Sequence, residues 1–363
     1  MGLRDERSID SEFDIGEEYE AEENGEAADD MPNASRFDYP EVLTVSASPH
    51  MRSNENTRSI MLDVIIALIP AFIWGILVFG TRALMIGMIS VLSCVIFEFL
   101  FQRIMGRKNT VGDFSAVVTG LLLAMNLSSA VPYWMPVVGA FFAIVVVKGL
   151  FGGIGKNIVN PALAARIFLF AWPAQMNVFV ASGDRAGVVS KSADMIASAT
   201  PLTQIKTGAV ADYSIFDLVI GNVGGCIGEV SALFLIIGGV YLLVRRVITW
   251  HTPAAYIGTV ALIAAIFPRV EGGVLNSVLT EVFSGGLIIC ALFMATDYAT
   301  TPITGKGKII FGVGCGIITM LIRHFGSYSE GASFSIVIMN LLVWYIDRLT
   351  MPKPFGGKAN VKK

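Results

Sequence analysis

The sequence has few of the residues that build metal centres and disulfide frameworks. Its 363 residues include four cysteines, Cys94, Cys226, Cys290 and Cys315, which form no CxxC pair and no metal-ligand spacing. The three histidines are scattered, so the chain offers no obvious histidine pair for a haem. We therefore expect no disulfide framework, no self-contained iron–sulfur site and no metal ligands.

Charged residues are also scarce. They make up 15% of the chain, against 54% hydrophobic residues, whereas soluble domains average about 25% charged residues. Residues 1–35 hold 13 acidic and 2 basic side chains, which leaves 24 basic and 16 acidic in the rest. This composition predicts an integral membrane protein with a disordered acidic tail over residues 1–40 and a basic tail over 351–363.

A dinucleotide-binding domain is missing as well. The GGIGKN stretch at 152–157 and the GGCIGE stretch at 224–229 follow no predicted strand, and neither carries the Lys-Ser/Thr pair of a phosphate-binding loop. Their glycines instead favour close backbone approach or a non-helical turn at membrane depth.

What the sequence does contain is a series of long apolar runs. These predict an all-α polytopic membrane protein with about ten transmembrane helices, some of them broken. The predicted spans lie near 58–79, 82–104, 112–127, 134–151, 160–173, 228–247, 253–268, 281–296, 307–323 and 331–350.

Lysines and arginines collect in alternate connections, which predicts that both termini are cytoplasmic. The long polar segment 174–227 is then extracytoplasmic and separates a first membrane half, 41–173, from a second, 228–350. Five spans in each half would give an inverted repeat. The DFS triplet at 113–115 and the VFS triplet at 282–284 open similar apolar helices, although a chance match is an alternative.

Positions at or near membrane depth supply candidate functional residues, namely Asn160 and the ionisable residues Asp63, Glu98, Asp113, Arg166, Glu229 and Asp297. Asn160, followed by Pro161, is a fair helix N-cap, and its half-helix could equally face a polar ligand or flavin ring. Asp63 lies within a predicted span, where a carboxylate either lines an ion path or pairs with a cation such as Arg166.

The extracytoplasmic segment contains the stretch SATPL at 198–202. A phosphoester between a threonine and FMN needs a water-side hydroxyl, small neighbours and extended backbone. Thr200 offers the hydroxyl, Ser198 is a small neighbour, and Pro201 favours extended geometry at Thr200. By themselves these properties are equally those of an ordinary loop.

Several stretches in order carry a family resemblance. The chain resembles the D subunits of Rnf ferredoxin:NAD oxidoreductase complexes and, more distantly, the B subunits of sodium-translocating NADH:quinone oxidoreductases. The resemblance covers roughly residues 40–350 and rests on GGIGKN at 152–157, NPALAAR at 160–166, WPAQM at 172–176, TPL at 200–202, GCIGEVSA at 225–232, GGVY at 238–241, RR at 245–246, FMATDYATTP at 293–302, GSYSEGASF at 326–334 and MN at 339–340.

The resemblance implies that Thr200 carries covalent FMN, attached by a flavin transferase, and it allows for riboflavin bound non-covalently among the helices. Family members usually read SGAT where this chain reads ASAT at 197–200, with Asp194 kept upstream. The resemblance also implies a prokaryotic inner-membrane complex that couples electron transfer between ferredoxin and NAD to Na⁺ or H⁺ translocation. Its partners would be other membrane and peripheral subunits, and no nucleic acid.

Two other functions fit the spans without any flavin. A secondary transporter or small-solute channel also uses repeated halves and broken helices. A purely structural anchor for soluble partners is the third alternative. Covalent flavin distinguishes the redox function from both.

Overall fold

Helices account for all the regular structure in the part of the chain described by the computed structural model, residues 56–180, 199–207, 213–229, 231–270 and 273–352. The predicted acidic tail 1–40, residues 353–363 of the predicted basic tail, Ser198 and Asp194 lie outside these residues. The helices are α1 Thr57–Phe79, α2 Thr81–Ile104, α3 Ser115–Met125, α4 Trp134–Gly149, α5 Pro161–Leu169, α6 Pro173–Met176, α7 Pro201–Thr207, α8 Ile215–Ile220, α9 Ala232–Val244, α10 His251–Ile266, α11 Val274–Phe283, α12 Leu287–Met294, α13 Gly305–Phe325 and α14 Ala332–Thr350.

Four of these helices, α1, α2, α13 and α14, are long and apolar enough to cross a membrane. The pair α11 and α12, bent by 65° at their junction, adds a fifth if it forms one span. The apolar helices α3, α4, α9 and α10 are shorter, with 10–17 residues each. The protein is therefore a multi-pass, all-helical membrane protein that also contains short helices.

Local sequence explains several helix boundaries. Gly80, at φ 80°, turns the chain directly from α1 into α2, a conformation that favours glycine. The hydroxyl groups of Ser231 and Thr304 accept hydrogen bonds from Phe234 N and Gly307 N at the starts of α9 and α13. Each such cap satisfies a backbone donor that the helix leaves unpaired.

The predicted span 281–296 is wrong as a single helix. It contains the end of α11, a break at residues 284–286, and then α12, whose final turn is π-helical. Gly285 adopts φ 69° at the break, which ends the α-helical hydrogen-bond pattern. The predicted fifth span, 160–173, contains α5 and the first residue of α6, because residues 170–172 interrupt the helix.

The two halves of the chain meet where α1 packs against α9. A Cβ placed at Gly238 of α9 would collide with the carbonyl oxygen of Ala67 in α1. Glycine therefore lets the two backbones approach closely, as small residues do between membrane helices. This contact places the ends of the short helices from both halves side by side.

Candidate functional site

A buried cation holds the start of the short helix α3. Lys148, at the end of α4, donates to Glu98 Oε1 at 2.7 Å and to Ser115 Oγ at 2.6 Å. Asp113 Oδ1 accepts from the backbone N–H of Ser115 at 2.9 Å. Phe114 has φ 62°, so the chain turns sharply immediately before the helix.

The start of α12 in the second half has a similar arrangement. Arg323, near the end of α13, donates to Glu281 Oε2 at 2.9 Å and to the Ser284 carbonyl at 3.3 Å. The second arginine on Glu281 is Arg269. Ser115 and Ser284 are the last residues of the DFS and VFS triplets, so the two triplets occupy comparable structural positions.

The far ends of α3 and α12 meet in the protein interior. Asn126 follows α3, and its Nδ2 lies 3.5 Å from the sulfur of Met294, the last residue of α12. Arg166 of α5 donates to Asn126 Oδ1 at 2.7 Å, and Asn160 Nδ2 lies 3.3 Å from the Met294 carbonyl. Polar groups from both halves thus converge on this junction.

Thr200 immediately precedes α7 and caps it. Its Oγ1 accepts from the backbone N–H of Thr203 at 3.3 Å and lies 2.8 Å from Thr203 Oγ1. Pro201 occupies the first helical position, where its missing N–H leaves no intrahelical bond unmade. Thr200 is 7% exposed, so its hydroxyl lies in a cavity wall rather than on an open loop.

That cavity, which we call the Thr200 cavity, has a volume of about 310 Å³. It brings together residues from both halves and from the segment between them. Its polar lining comprises Asn126, Ser128, Arg166, Asn177, Thr200, Thr203, Lys206, Glu229, Tyr328 and Glu330.

Arg166 is the central cation of the Thr200 cavity. It forms an ion pair with Glu330, its Nη2 lies 3.7 Å from Glu229 Oε1, and the residue is 3% exposed. Glu330 Oε1 also accepts from the Gly286 N–H at 2.6 Å, at the break before α12. The network therefore ties α5 to the bent α11–α12 pair.

Glu229 and Glu330 lie in connections outside the membrane-spanning helices. Burial, followed by the neighbouring Glu330 carboxylate, raises the pKa of Glu229 above its ordinary value. Burial also acts to raise the pKa of Glu330, but Arg166 and the Gly286 N–H lower it below its ordinary value. Of the two carboxyl groups, Glu229 therefore holds a proton more readily.

The lining of the Thr200 cavity fits a phosphoester-linked flavin. The Phe170 and Tyr328 rings lie at its wall with centroids 5.2 Å apart and planes tilted by 47°, and they provide aromatic surface against which another ring can pack. Lys206, in the helix that Thr200 caps, supplies a cation for a phosphate group. Asn126 and Ser128 offer hydrogen-bonding groups for the polar edge of the ring.

Asn160 does not line the Thr200 cavity. Its side chain caps α5 by accepting from Ala162 N at 3.0 Å, as predicted for an N-cap. It lines a separate, smaller cavity of about 90 Å³ together with Ser115, Lys148 and Asp297, which we call the Asn160 cavity. The structure thus does not bring Asn160 and Thr200 into one pocket.

Asp63 is 8% exposed in α1 and pairs with a cation, but not with Arg166. Its carboxylate accepts from Tyr241 Oη at 2.8 Å and from Arg245 Nη2 at 3.0 Å. The Arg245 side chain is 55% exposed, so this ion pair reaches the protein surface.

Sequence reasoning does not identify Glu330, Lys148 and Arg323 as site residues. Glu330 stands within the GSYSEGASF stretch, where the motif gives no sign that its carboxylate is buried. By sequence, Lys148 and Arg323 fit loop charges that set orientation, yet both are buried. An ionisable residue within a few positions of an apolar run is the available signal.

Residues 44–356 match the NQR2, RnfD, RnfE family. A relative from Acetobacterium woodii, named as the D subunit of a Na(+)-translocating ferredoxin:NAD(+) oxidoreductase complex, is 45% identical over 86% of this chain and 95% of its own. A relative from Clostridium ljungdahlii, named as the D subunit of a proton-translocating ferredoxin:NAD(+) oxidoreductase complex, is 36% identical over 87% of this chain and 97% of its own.

A third relative, from Stutzerimonas stutzeri, is named as the D subunit of an ion-translocating oxidoreductase complex. It is 35% identical over 84% of this chain and 93% of its own. The matches run through both membrane halves and the segment between them. The chain therefore belongs to the NQR2, RnfD, RnfE family, in its branch of complex D subunits.

Proposed function

We propose that this chain is the flavin-bearing membrane subunit of a complex that couples electron transfer between ferredoxin and NAD to ion translocation. The names of the relatives support the complex and its reaction. The observation that supports a flavin on this chain is the position of Thr200 in a cavity with aromatic, cationic and amide groups. The relatives differ in the ion, so Na⁺ and H⁺ both remain within the proposal.

In this proposal Thr200 Oγ1 forms a phosphoester with FMN, placed there by a flavin transferase. Lys206 would face the phosphate, and Phe170 and Tyr328 would pack against the ring. When bound, the flavin would supply one-electron transfer chemistry, while the protein would position it and set its electrostatic surroundings. Ser198 would keep the approach to Thr200 open because its side chain is small.

We propose riboflavin as a second, non-covalent flavin bound among the helices. Asn160, at the start of α5, is proposed as a flavin contact, although the Asn160 cavity, at about 90 Å³, is smaller than a riboflavin molecule. Asp63 is proposed to belong to an ion route. A buried carboxylate linked to a surface arginine provides a charged group between protein interior and water.

We further propose ten spans arranged as a five-plus-five inverted repeat in a prokaryotic inner membrane, with both termini cytoplasmic. The paired arrangement of Lys148 with Ser115 and Arg323 with Ser284 supports the repeat. In each half a cation near the end of one helix holds the start of a short helix. Other membrane and peripheral subunits would carry the ferredoxin and nicotinamide chemistry.

The deciding experiment uses the full chain, co-produced with a flavin transferase. In-gel flavin fluorescence of the denatured protein is expected for the wild type and should be lost in Thr200→Ala. Mass spectrometry of the peptide around Thr200 should show the added mass of FMN. Thr203→Val is the matched control, because it removes the neighbouring hydroxyl 2.8 Å away and should keep the fluorescence.

The outcome also separates the alternatives. A wild-type chain without covalent flavin, in the presence of an active transferase, would reject the flavin-bearing function. Transport of a neutral solute by the isolated chain in liposomes would then support a transporter. Fluorescence that persists in Thr200→Ala would show that the flavin is attached to another residue.

A further inference from the structure

Two carboxyl groups share one guanidinium in the wall of the Thr200 cavity. Arg166 pairs with Glu330 and lies 3.7 Å from Glu229. If all three groups were ionised, this buried set would carry one unbalanced negative charge. Such a charge is costly in a low-dielectric interior, and a proton on one carboxylate removes that cost.

The contacts decide which carboxyl group would take up a proton more readily. Glu330 is the better stabilised anion, because it bonds Arg166 through one oxygen and the Gly286 N–H at 2.6 Å through the other. Glu229 accepts from the Cys226 N–H at 3.1 Å, and its other oxygen lies 3.7 Å from Arg166, which is a longer contact than the direct ion pair of Glu330. Glu229 is therefore the weaker anion of the pair.

The charged and titratable groups around Glu229 come from four elements. Arg166 faces it from α5, Glu330 from the connection before α14, the Cys290 thiol from α12, and the Cys226 thiol from its own segment. Arg323 of α13, which lies beside Gly285, acts to lower the pKa of Glu330 through its positive charge. None of the other cations supplies Glu229 with a direct ion pair among the described residues.

We propose that Glu229 takes up one proton when an electron reaches a flavin attached to Thr200. This inference rests on the proposed function. An electron in the cavity adds negative charge near an already weak anion, and like charge favours protonation of a carboxylate. One electron comes from a low-potential donor, one proton comes from water, and an O–H bond forms on Glu229. Both leave again on reoxidation, so the net charge of the cavity is conserved.

Arg166 and Glu330 are positioning residues in this scheme. Glu330 keeps the direct contact to Arg166, and so the guanidinium stays near enough to orient Glu229 without neutralising it fully. Arg166 is itself fixed by its 2.7 Å bond to Asn126. The proton-accepting carboxyl is thus held at a defined place in the cavity wall in both protonation states.

The test is redox-induced infrared difference spectroscopy of the full chain, co-produced with its flavin transferase and reduced with dithionite. It is run at alkaline pH, which favours the ionised carboxylate before reduction. Reduction of the wild type should produce the carbonyl band of a protonated carboxylic acid. Glu229→Gln should lack that band and take up one proton fewer per flavin. Glu229→Asp should keep the band at a shifted frequency.

The choice of variants excludes misfolding as the reason for a lost band. Glutamine has the shape of the protonated carboxyl, so Glu229→Gln should fold, and the fluorescence of its attached flavin checks this. Asp217→Asn, at a half-buried carboxylate in α8, is the control and should keep the band. A flavin-loaded wild type without the band, or a band that persists in Glu229→Gln, would overturn the inference. A wild type without covalent flavin would refute the proposed function itself.

Discussion

Replacing Arg323 by methionine should strongly destabilise the second membrane half. Arg323 is 0% exposed and donates to the Glu281 carbonyl at 2.6 Å, to Glu281 Oε2 at 2.9 Å and to the Ser284 carbonyl at 3.3 Å. Removing one partner of a buried ion pair costs about 3–5 kcal/mol. Here Glu281 Oε2 and two backbone carbonyls would stay buried without their donor, although Arg269 still pairs with Glu281 Oε1. Methionine fills much of the volume, so the loss is electrostatic rather than a cavity effect.

At about 1.4 kcal/mol per tenfold change, the folding equilibrium should shift between about a hundredfold and several thousandfold. Equilibrium unfolding by SDS in mixed micelles, followed by tryptophan fluorescence, measures this shift. Arg348→Met is the matched control: Arg348 lies in the last turn of α14, with its guanidinium 5.6 Å from the Trp344 ring. Its loss should cost no more than about 1 kcal/mol. A loss below about 1 kcal/mol in Arg323→Met would refute the reasoning about the buried network.

Three further substitutions have defined outcomes. Gly238→Ala should destabilise the protein by about 1–3 kcal/mol, because the added methyl group forces α1 and α9 apart. The control, Gly258→Ala, should stabilise it by about 0.5–1 kcal/mol, because a Cβ there meets nothing within 4 Å. Equal effects of the two substitutions would contradict the close contact between α1 and α9. Asn160→Ala should cost about 1 kcal/mol in the same unfolding assay by removing the α5 cap, and an unchanged midpoint would argue against it. Asp63→Asn should reduce ion translocation in proteoliposomes of the assembled complex at a stability cost of about 1 kcal/mol or less, and unchanged pumping would remove Asp63 from the ion route.

Several features of the protein followed from the sequence alone. The apolar runs predicted the helices, since a bilayer requires long apolar segments whose backbone groups bond internally. Asn160 before Pro161 predicted the α5 cap, because capping depends on residues close in sequence. The ordered motifs indicated the family, which the relatives confirm.

Other features depended on contacts between residues far apart in sequence. Glu330 and Arg166 are separated by 164 positions, and no local pattern predicts that they pair. The same holds for Asp63, which pairs with Arg245 rather than Arg166. The VFS triplet at 282–284 indicated where α12 begins, but the preceding helix α11 and the 65° bend between the two helices were not predicted.

Sequence by itself determined that this chain is a helical membrane protein of a known family, and it singled out Thr200. Hydrophobicity and local capping are properties of neighbouring residues, so they can be read along the chain. Only the tertiary structure placed Thr200 in one cavity with Arg166, Glu229 and Glu330. Packing of the two halves decides which charges share the buried space, and that shared space sets which carboxyl group can exchange a proton.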